Sequence, residues 1–213
     1  MTFLNDDLNE ISAKLEPLIL ASASPRRRDI LRRLGLSFEI RPSQVDEQEI
    51  PSEEPAALAE RLSVSKARQV AQGVSRGTVI GSDTVVAVGR CSLGKPESAR
   101  DACRILAYLS GKEQQVISGL CLIHRPTEIM LTGHDVTRVF TRPMSTRQIE
   151  DYVATGECFG KAGAYAIQET GDRFVDRIEG SFDNVVGFPT ELFVTLILEL
   201  MGAVGGERRT GTG

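Results

Sequence analysis

Leu18-Ile19-Leu20-Ala21-Ser22-Ala23-Ser24-Pro25-Arg26-Arg27-Arg28 is a short apolar run that passes directly into a helix start. Residues 18–21 read as a buried strand, since four successive apolar side chains leave no solvent face. Ser24 is placed to cap the helix, and Pro25 stands at its first position, where a missing N–H costs nothing. Ile30, Leu31 and Leu34 supply a core face, and Gly35 closes the helix. The junction gathers free helix N–H groups, the hydroxyls of Ser22 and Ser24, and arginine side chains, all of which favour an anion, phosphate above all. The same residues also suit a plain capped helix with a solvated basic face, and spacing leaves both readings open. Three successive arginines point in three directions, so at most two can serve one ligand.

Outward from this junction the pattern alternates. A second strand is expected over 37–41, a helix over 55–72 that stops at Gly73, and a β-branched strand over 78–88 that Gly81-Ser82-Asp83 interrupts. An amphipathic helix follows over 97–109, then two long antiparallel strands over 115–123 and 128–140. Ser145 and Gln148 form a capping box for a helix reaching Thr155, closed by Gly156. Short strands over 164–167 and 174–178 precede a last helix over 190–201. Residues 1–16 read as a polar N-terminal extension and 203–213 as a flexible Gly- and Thr-rich tail, bounding one domain over 17–202. The alternation lacks a clean βαβ period, which predicts an α/β fold with a mixed central sheet, flanking helices and two lobes around a cleft.

Composition narrows the function. With 213 residues, 41% hydrophobic and 25% charged, the chain can bury a sizeable core and is not of disordered type. A net charge of -4 argues against a protein that coats nucleic acid or an anionic membrane, so neither is expected as a partner. No apolar run approaches the roughly 20 residues of a membrane span, and the acidic N-terminus is not of secretory type. Cys91, Cys103, Cys121 and Cys158 show no paired spacing, which fits a reducing cytoplasm. There is no GxSxG elbow, HExxH pair or dinucleotide-binding glycine fingerprint. What remains is phosphate chemistry run by basic side chains, carboxylates and a hard cation.

Several residues could carry that chemistry. Lys66 falls on the ladder Leu58, Leu62, Lys66, Val70 and interrupts its apolar stripe. It either snorkels to the edge or aims its ammonium into a cleft. Asp83 lies between apolar flanks, where a carboxylate is costly unless paired, hydrogen-bonded or bound to metal. A turn aspartate bonding its own backbone is the alternative. Glu47 sits in an acidic loop that is either solvated or a source of metal ligands. Lys95 follows Gly94 in a loop that lacks phosphate-loop spacing. Gln168 offers a donor beside an acceptor, a pairing that can read the edge of a base.

Taken in order, SASPRR, SKAR, GSDTVV, LGKP, KAGAYAIQ and IEGSFDNVVGFP resemble the motifs of the Maf-like nucleotide pyrophosphatases over residues 18–200. The resemblance implies an elongated sheet with a cleft, related to inosine triphosphatase, a divalent cation (magnesium or manganese) and a cytoplasmic location, in a family whose members are frequently homodimers. It makes Asp83 the catalytic acid that accepts a proton, and sets Glu47, Lys66 and Lys95 around the triphosphate and metal, with Glu47 and Asp83 as metal ligands. Ser22, Ser24, Arg26 and Arg27 would bind the phosphates, and Arg26, Thr84 and Gln168 match positions that choose the base. AGAYAIQ resembles the branch acting on dTTP and UTP. In that branch an aspartate usually precedes Lys-Ala-Gly, whereas here Gly160 does. Two rivals remain: a 7-methyl-GTP pyrophosphatase of the same family, and a nucleotide-binding regulator of septum formation without turnover.

Overall fold

The computed structural model describes residues 14–48, 50, 52–168 and 170–207. The expected extension over 1–16 therefore lies outside the described residues up to residue 13. Leu15 beyond it is fully buried and accepts a hydrogen bond from the Thr78 hydroxyl at 2.9 Å.

The opening junction forms β1 (Leu18–Leu20) and α1 (Pro25–Arg33). The Ser24 hydroxyl accepts from the Arg27 N–H as N-cap, and Gly35 adopts φ +79 just past the helix end. β2 (Phe38–Ile40) pairs parallel with β1, and β1 pairs parallel with β3 (Gly77–Val88). β3 then meets the antiparallel strands β4 (Cys91–Leu93) and β5 (Glu113–Arg125). The ladder continues antiparallel through β6 (Met130–Thr141) to β7 (Val175–Glu179). One seven-stranded mixed sheet results, in the order β2-β1-β3-β5-β6-β7, with β4 against β3.

The two faces of β3 are covered differently. Val79 and Val85 face α2 (Pro55–Ala71), packing with Ala67, Ala71, Leu58 and Leu62. Ile80 faces the opposite way, into a cluster built on α1 and α6 (Thr190–Glu207). Further along that opposite face, α3 (Ala99–Leu109) and α4 (Thr146–Ala154) make a second cluster with Tyr165 and Phe174. Val186 of the first cluster and Tyr165 of the second both line one cleft.

Three expectations require correction. β3 is not interrupted at Gly81-Ser82-Asp83: it pairs with β5 without a break from Gly77↔Arg125 to Ala87↔Gln115. Gly81 serves helix approach instead. A Cβ there would lie 2.2 Å from the Ser63 carbonyl oxygen of α2, and one on Gly119 would lie 2.1 Å from that of Ala59. Residues 164–167 are not a strand. Gly163 and Ala164 both have positive φ (+72 and +60) in a tight turn over Ala162–Ala164, a geometry that no strand admits. The last helix runs to Glu207, past the Met201 expected as its end, and 208–213 lie outside the described residues. Three elements were missed, a 3-10 helix over Thr170–Phe174, β4 and the short helix α5 (Phe182–Val186). The local signals of the last two were Gly89-Arg90 as a two-residue hairpin turn and Ser181 capping the Asn184 N–H.

Gly81→Ala should destabilise the fold by about 2–3 kcal/mol, because helix backbone cannot give way like a flexible side chain. Urea denaturation of the variant checks this, and an unchanged midpoint would refute the close-approach role.

Candidate active site

The cleft forms where the sheet is incomplete. β1 ends at Leu20, its ladder to β3 closing with the Ala21 N–H on the Ile80 carbonyl at 2.9 Å, and β4 joins the same edge of β3 only from Val86. Between those points, among the described residues, this edge of β3 carries no strand. Side chains from both faces can therefore reach one space: Asp83 from the α2 face, Thr84 and Val86 from the other. The cleft holds about 430 Å³, and Ser22, Ser24, Arg26, Arg27, Glu47, Lys66, Asp83, Thr84, Lys95 and Gln168 all line it. Every candidate named from the sequence thus meets in one place.

Four of them form a chain of alternating charge. Lys66 Nζ lies 2.5 Å from Asp83 Oδ1 and 2.7 Å from Glu47 Oε1, and Lys95 Nζ lies 2.5 Å from Glu47 Oε2. Lys66 and Asp83 are buried, at 7% exposure each, so Lys66 does not snorkel and Asp83 is not a turn aspartate. Burial alone would raise the Glu47 carboxyl, but hydrogen bonds from Lys66 and Lys95, with their charges, outweigh it and hold the group at about 2.

The arginines divide as their directions require. Buried Arg27 donates from Nε to the Gly187 carbonyl at 2.8 Å, from Nη1 to Ser22 Oγ at 3.1 Å and from Nη2 to Thr84 Oγ1 at 3.1 Å. Of the five N–H donors on a guanidinium, two remain for a ligand, held in a fixed orientation. Burial lowers the Arg27 pKa, while the Asp83 charge opposes that fall and Arg26 adds to it; the group stays a cation. Arg26 donates from Nε to the Val186 carbonyl at 3.1 Å. Arg28 turns away and pairs with Asp29 at 3.6 Å. Arg26, Arg27, Lys66, Lys95 and Lys161 outnumber Glu47 and Asp83 by three along the cleft, an excess of positive charge that suits a polyanion.

The remaining wall is apolar, made by Val86, Val116, Ala162, Tyr165 and Ile167, with exposed Gln168 beside it. The Tyr165 hydroxyl accepts from Gln114 Nε2 at 2.8 Å, and burial raises its pKa. That hydroxyl is therefore engaged with Gln114. Gly160 lines the cleft at φ +71, with open space where a Cβ would stand.

Both carboxylates converge on one ammonium, so both are within reach of a single cation. Two hard oxygen donors fit magnesium or manganese, which take one or two carboxylates and complete their shell with phosphate oxygens and water. Among the described residues, no group of three or more His, Cys, Asp and Glu could hold a metal ion. No helix among them is long and apolar enough to cross a membrane.

The family model described as Maf-like protein matches residues 17–200, which contain every residue of this cleft. The chain belongs to the Maf-like family. Its relatives include proteins named dTTP/UTP pyrophosphatase. That of Ruminiclostridium cellulolyticum is 45% identical over 81% of this chain and 90% of its own. That of Moorella thermoacetica is 47% identical over 82% and 90%, and that of Thermococcus onnurineus 47% over 82% and 93%. The solved Ham1 protein of Staphylococcus aureus superimposes at a TM-score of 0.41 with 14% identity over 58% of this chain and 71% of that one, too slight a likeness to add to the assignment.

The Glu47 bridge should contribute acid-sensitive stability to the Maf-like fold. Its folded pKa of about 2 lies below the ordinary 4.5, so the contribution is fully present above pH 4.5 and is lost as pH falls toward 2. Thermal melts of wild type and Glu47→Gln across that window should converge at the acid end. A gap that stays constant down to pH 2 would show that the bridge adds nothing.

Proposed function

We propose that this chain hydrolyses dTTP and UTP to the nucleoside monophosphate and pyrophosphate. The observation that carries this reading is the convergence of Asp83 and Glu47 on Lys66, beside Arg26 and Arg27 at the start of α1. A site that only held a nucleotide would not need a buried carboxylate among its phosphate-binding cations. The names of the relatives favour dTTP and UTP over 7-methyl-GTP, and turnover over binding alone.

In this reading the triphosphate lies against Arg26, Arg27, Lys66 and Lys95, with its base along the apolar wall toward Gln168. Glu47 and Asp83 would hold a magnesium or manganese ion, which supplies further charge neutralisation at the phosphates. Asp83 orients a water against the α-phosphorus and takes its proton. The water oxygen bonds to phosphorus as the bond to the bridging oxygen breaks, and pyrophosphate departs with that electron pair. The fixed cations meet the charge that builds on the leaving group without having to reorganise. Lys66, 2.5 Å from Asp83 Oδ1, holds that carboxylate aimed until the proton arrives.

At the base, uracil and thymine present an N–H beside a carbonyl oxygen, and one Gln168 amide matches both. Cytosine presents the reverse pattern, which a freely flipping amide would also accept. The Tyr165 hydroxyl accepts from Gln114 and keeps its own proton to donate, so it and the backbone around Thr84 are the candidates for a lock on that amide.

Asp83→Asn should fold normally and lose turnover by roughly 10²–10⁴-fold, the usual worth of a general base. Pyrophosphate release from UTP measures it, and near-normal release from a folded variant would reject the assignment. Excess chelator should abolish the same activity and added magnesium or manganese restore it. Gln168→Ala should lower kcat/KM on UTP and dTTP more than on CTP, and an equal loss on all three would remove Gln168 from base reading.

A further inference from the structure

Arg27 is tied into a line of hydrogen bonds that leaves the cleft and enters the sheet. Its Nη2 lies 3.1 Å from Thr84 Oγ1, which lies 2.9 Å from Ser118 Oγ, which lies 3.2 Å from the Asn184 carbonyl oxygen. A guanidinium can only donate, so Thr84 accepts from Arg27. The one Thr84 proton has two acceptors in range, Ser118 Oγ at 2.9 Å and the Gly187 carbonyl at 3.3 Å, and with the shorter contact made Ser118 donates in turn to Asn184. The bonds polarise one another in a site shielded from water.

The far end is fixed as well. Asn184 is fully buried, and its Nδ2 lies 3.0 Å from the Val116 carbonyl, 3.3 Å from that of Asp135 and 3.0 Å from Thr137 Oγ1. It therefore pins α5 to β5 and β6. The residues that follow Asn184 at the end of α5 present the carbonyls that hold the arginines: Val186 to Arg26 and Gly187 to Arg27. Ser118 and Thr84 face each other in the β3–β5 register, so the pleat itself holds the two hydroxyls together.

We propose that Ser118 and Asn184, which do not line the cleft, are positioning residues for triphosphate binding, acting through Thr84 to hold Arg27 against the phosphates. Thr84 on this account works at the phosphate end of the ligand, not at the base. The proposal rests on the triphosphate reading of the cleft.

The test uses inorganic tripolyphosphate, which has no base, titrated calorimetrically without added metal so that binding is read apart from turnover, together with KM and kcat for UTP and CTP. Thr84→Val keeps the shape and removes the hydroxyl. Ser118→Ala cuts the line one step further in. Each should weaken tripolyphosphate by about tenfold, the scale of a lost hydrogen bond to a charged group, and raise KM for UTP and CTP by the same factor with kcat less affected. Thr84→Ser should restore both. Unchanged tripolyphosphate affinity with a shifted UTP-to-CTP ratio in Thr84→Val would overturn the proposal and return Thr84 to base reading. Unchanged affinity in folded Ser118→Ala would overturn the role of Ser118 and Asn184. Failure of the wild type itself to bind tripolyphosphate would instead refute the triphosphate reading.

Discussion

The close approach of α2 to the sheet is the constraint on which the rest of the site depends. Gly81 on β3 and Gly119 on β5, the latter paired with Asp83, are the two points where helix backbone occupies the space a Cβ would need. This brings Lys66, one turn beyond Ser63, down to Asp83, two residues beyond Gly81 on the same face. The pair at 2.5 Å is nearly dry, and such a pair gains little net stability against well-packed apolar residues. Removing Lys66, however, takes the ion-pair partner from a buried carboxylate, at about 3–5 kcal/mol, whereas Lys66 without Asp83 keeps Glu47 at 2.7 Å. A fold that retains so expensive a pair in a cleft puts it to chemical use more readily than to structural use.

The cleft follows from topology as much as from side chains. In a complete sheet Asp83 and Thr84 would face opposite layers and never share a ligand. They share one here because β1 stops short, β4 starts late, and the exposed edge of β3 opens a passage from one face to the other. The same interruption turns the chain from β1 into α1 and so delivers Ser22, Ser24, Arg26 and Arg27 to that gap. Ligands of open α/β sheets commonly lie beyond the carboxyl ends of strands, and the end of β1 is such a place.

Much of this was legible in the sequence. The strand-to-helix junction, the capping box at Ser145 and the long strands over 113–141 follow from local periodicity and caps, and they stand where those signals place them. Gly81 misled because a glycine inside a strand admits two explanations, a bulge or a close neighbour, and the neighbour is α2, a dozen residues and more away in the chain. The segment after Lys161 misled because small apolar residues fit a strand and a tight turn alike, and only the positive φ at Gly163 and Ala164 decides between them. The candidate charged residues could be named singly, but their alternation across Asp83, Lys66, Glu47 and Lys95 is a tertiary fact. Ser118 and Asn184 were invisible for the opposite reason: a buried serine and asparagine have no periodicity and acquire meaning only from their partners.

Glu47 is held differently from its neighbours in the cleft. Lys66 and Asp83 stand on regular elements, whereas Glu47 lies in the irregular stretch between β2 and α2. That stretch is tied back to α2 twice: the Gln44 N–H donates to Gln69 Oε1 at 2.6 Å, and Arg61 donates to the Gln48 carbonyl at 3.0 Å while gripping Glu53 with two bonds of 2.7 Å. One helix thus sets the lysine by its sheet-facing side and the glutamate by its outer side. The distance between Glu47 and Lys66 is then governed within one structural unit, while Asp83 belongs to the sheet. Loop-borne groups open at lower cost than those on packed elements, so under the proposed function Glu47 is the carboxylate that would exchange its lysine partners for a cation. Asp83, with its backbone in the ladder, would on the same proposal stay in place to meet the water.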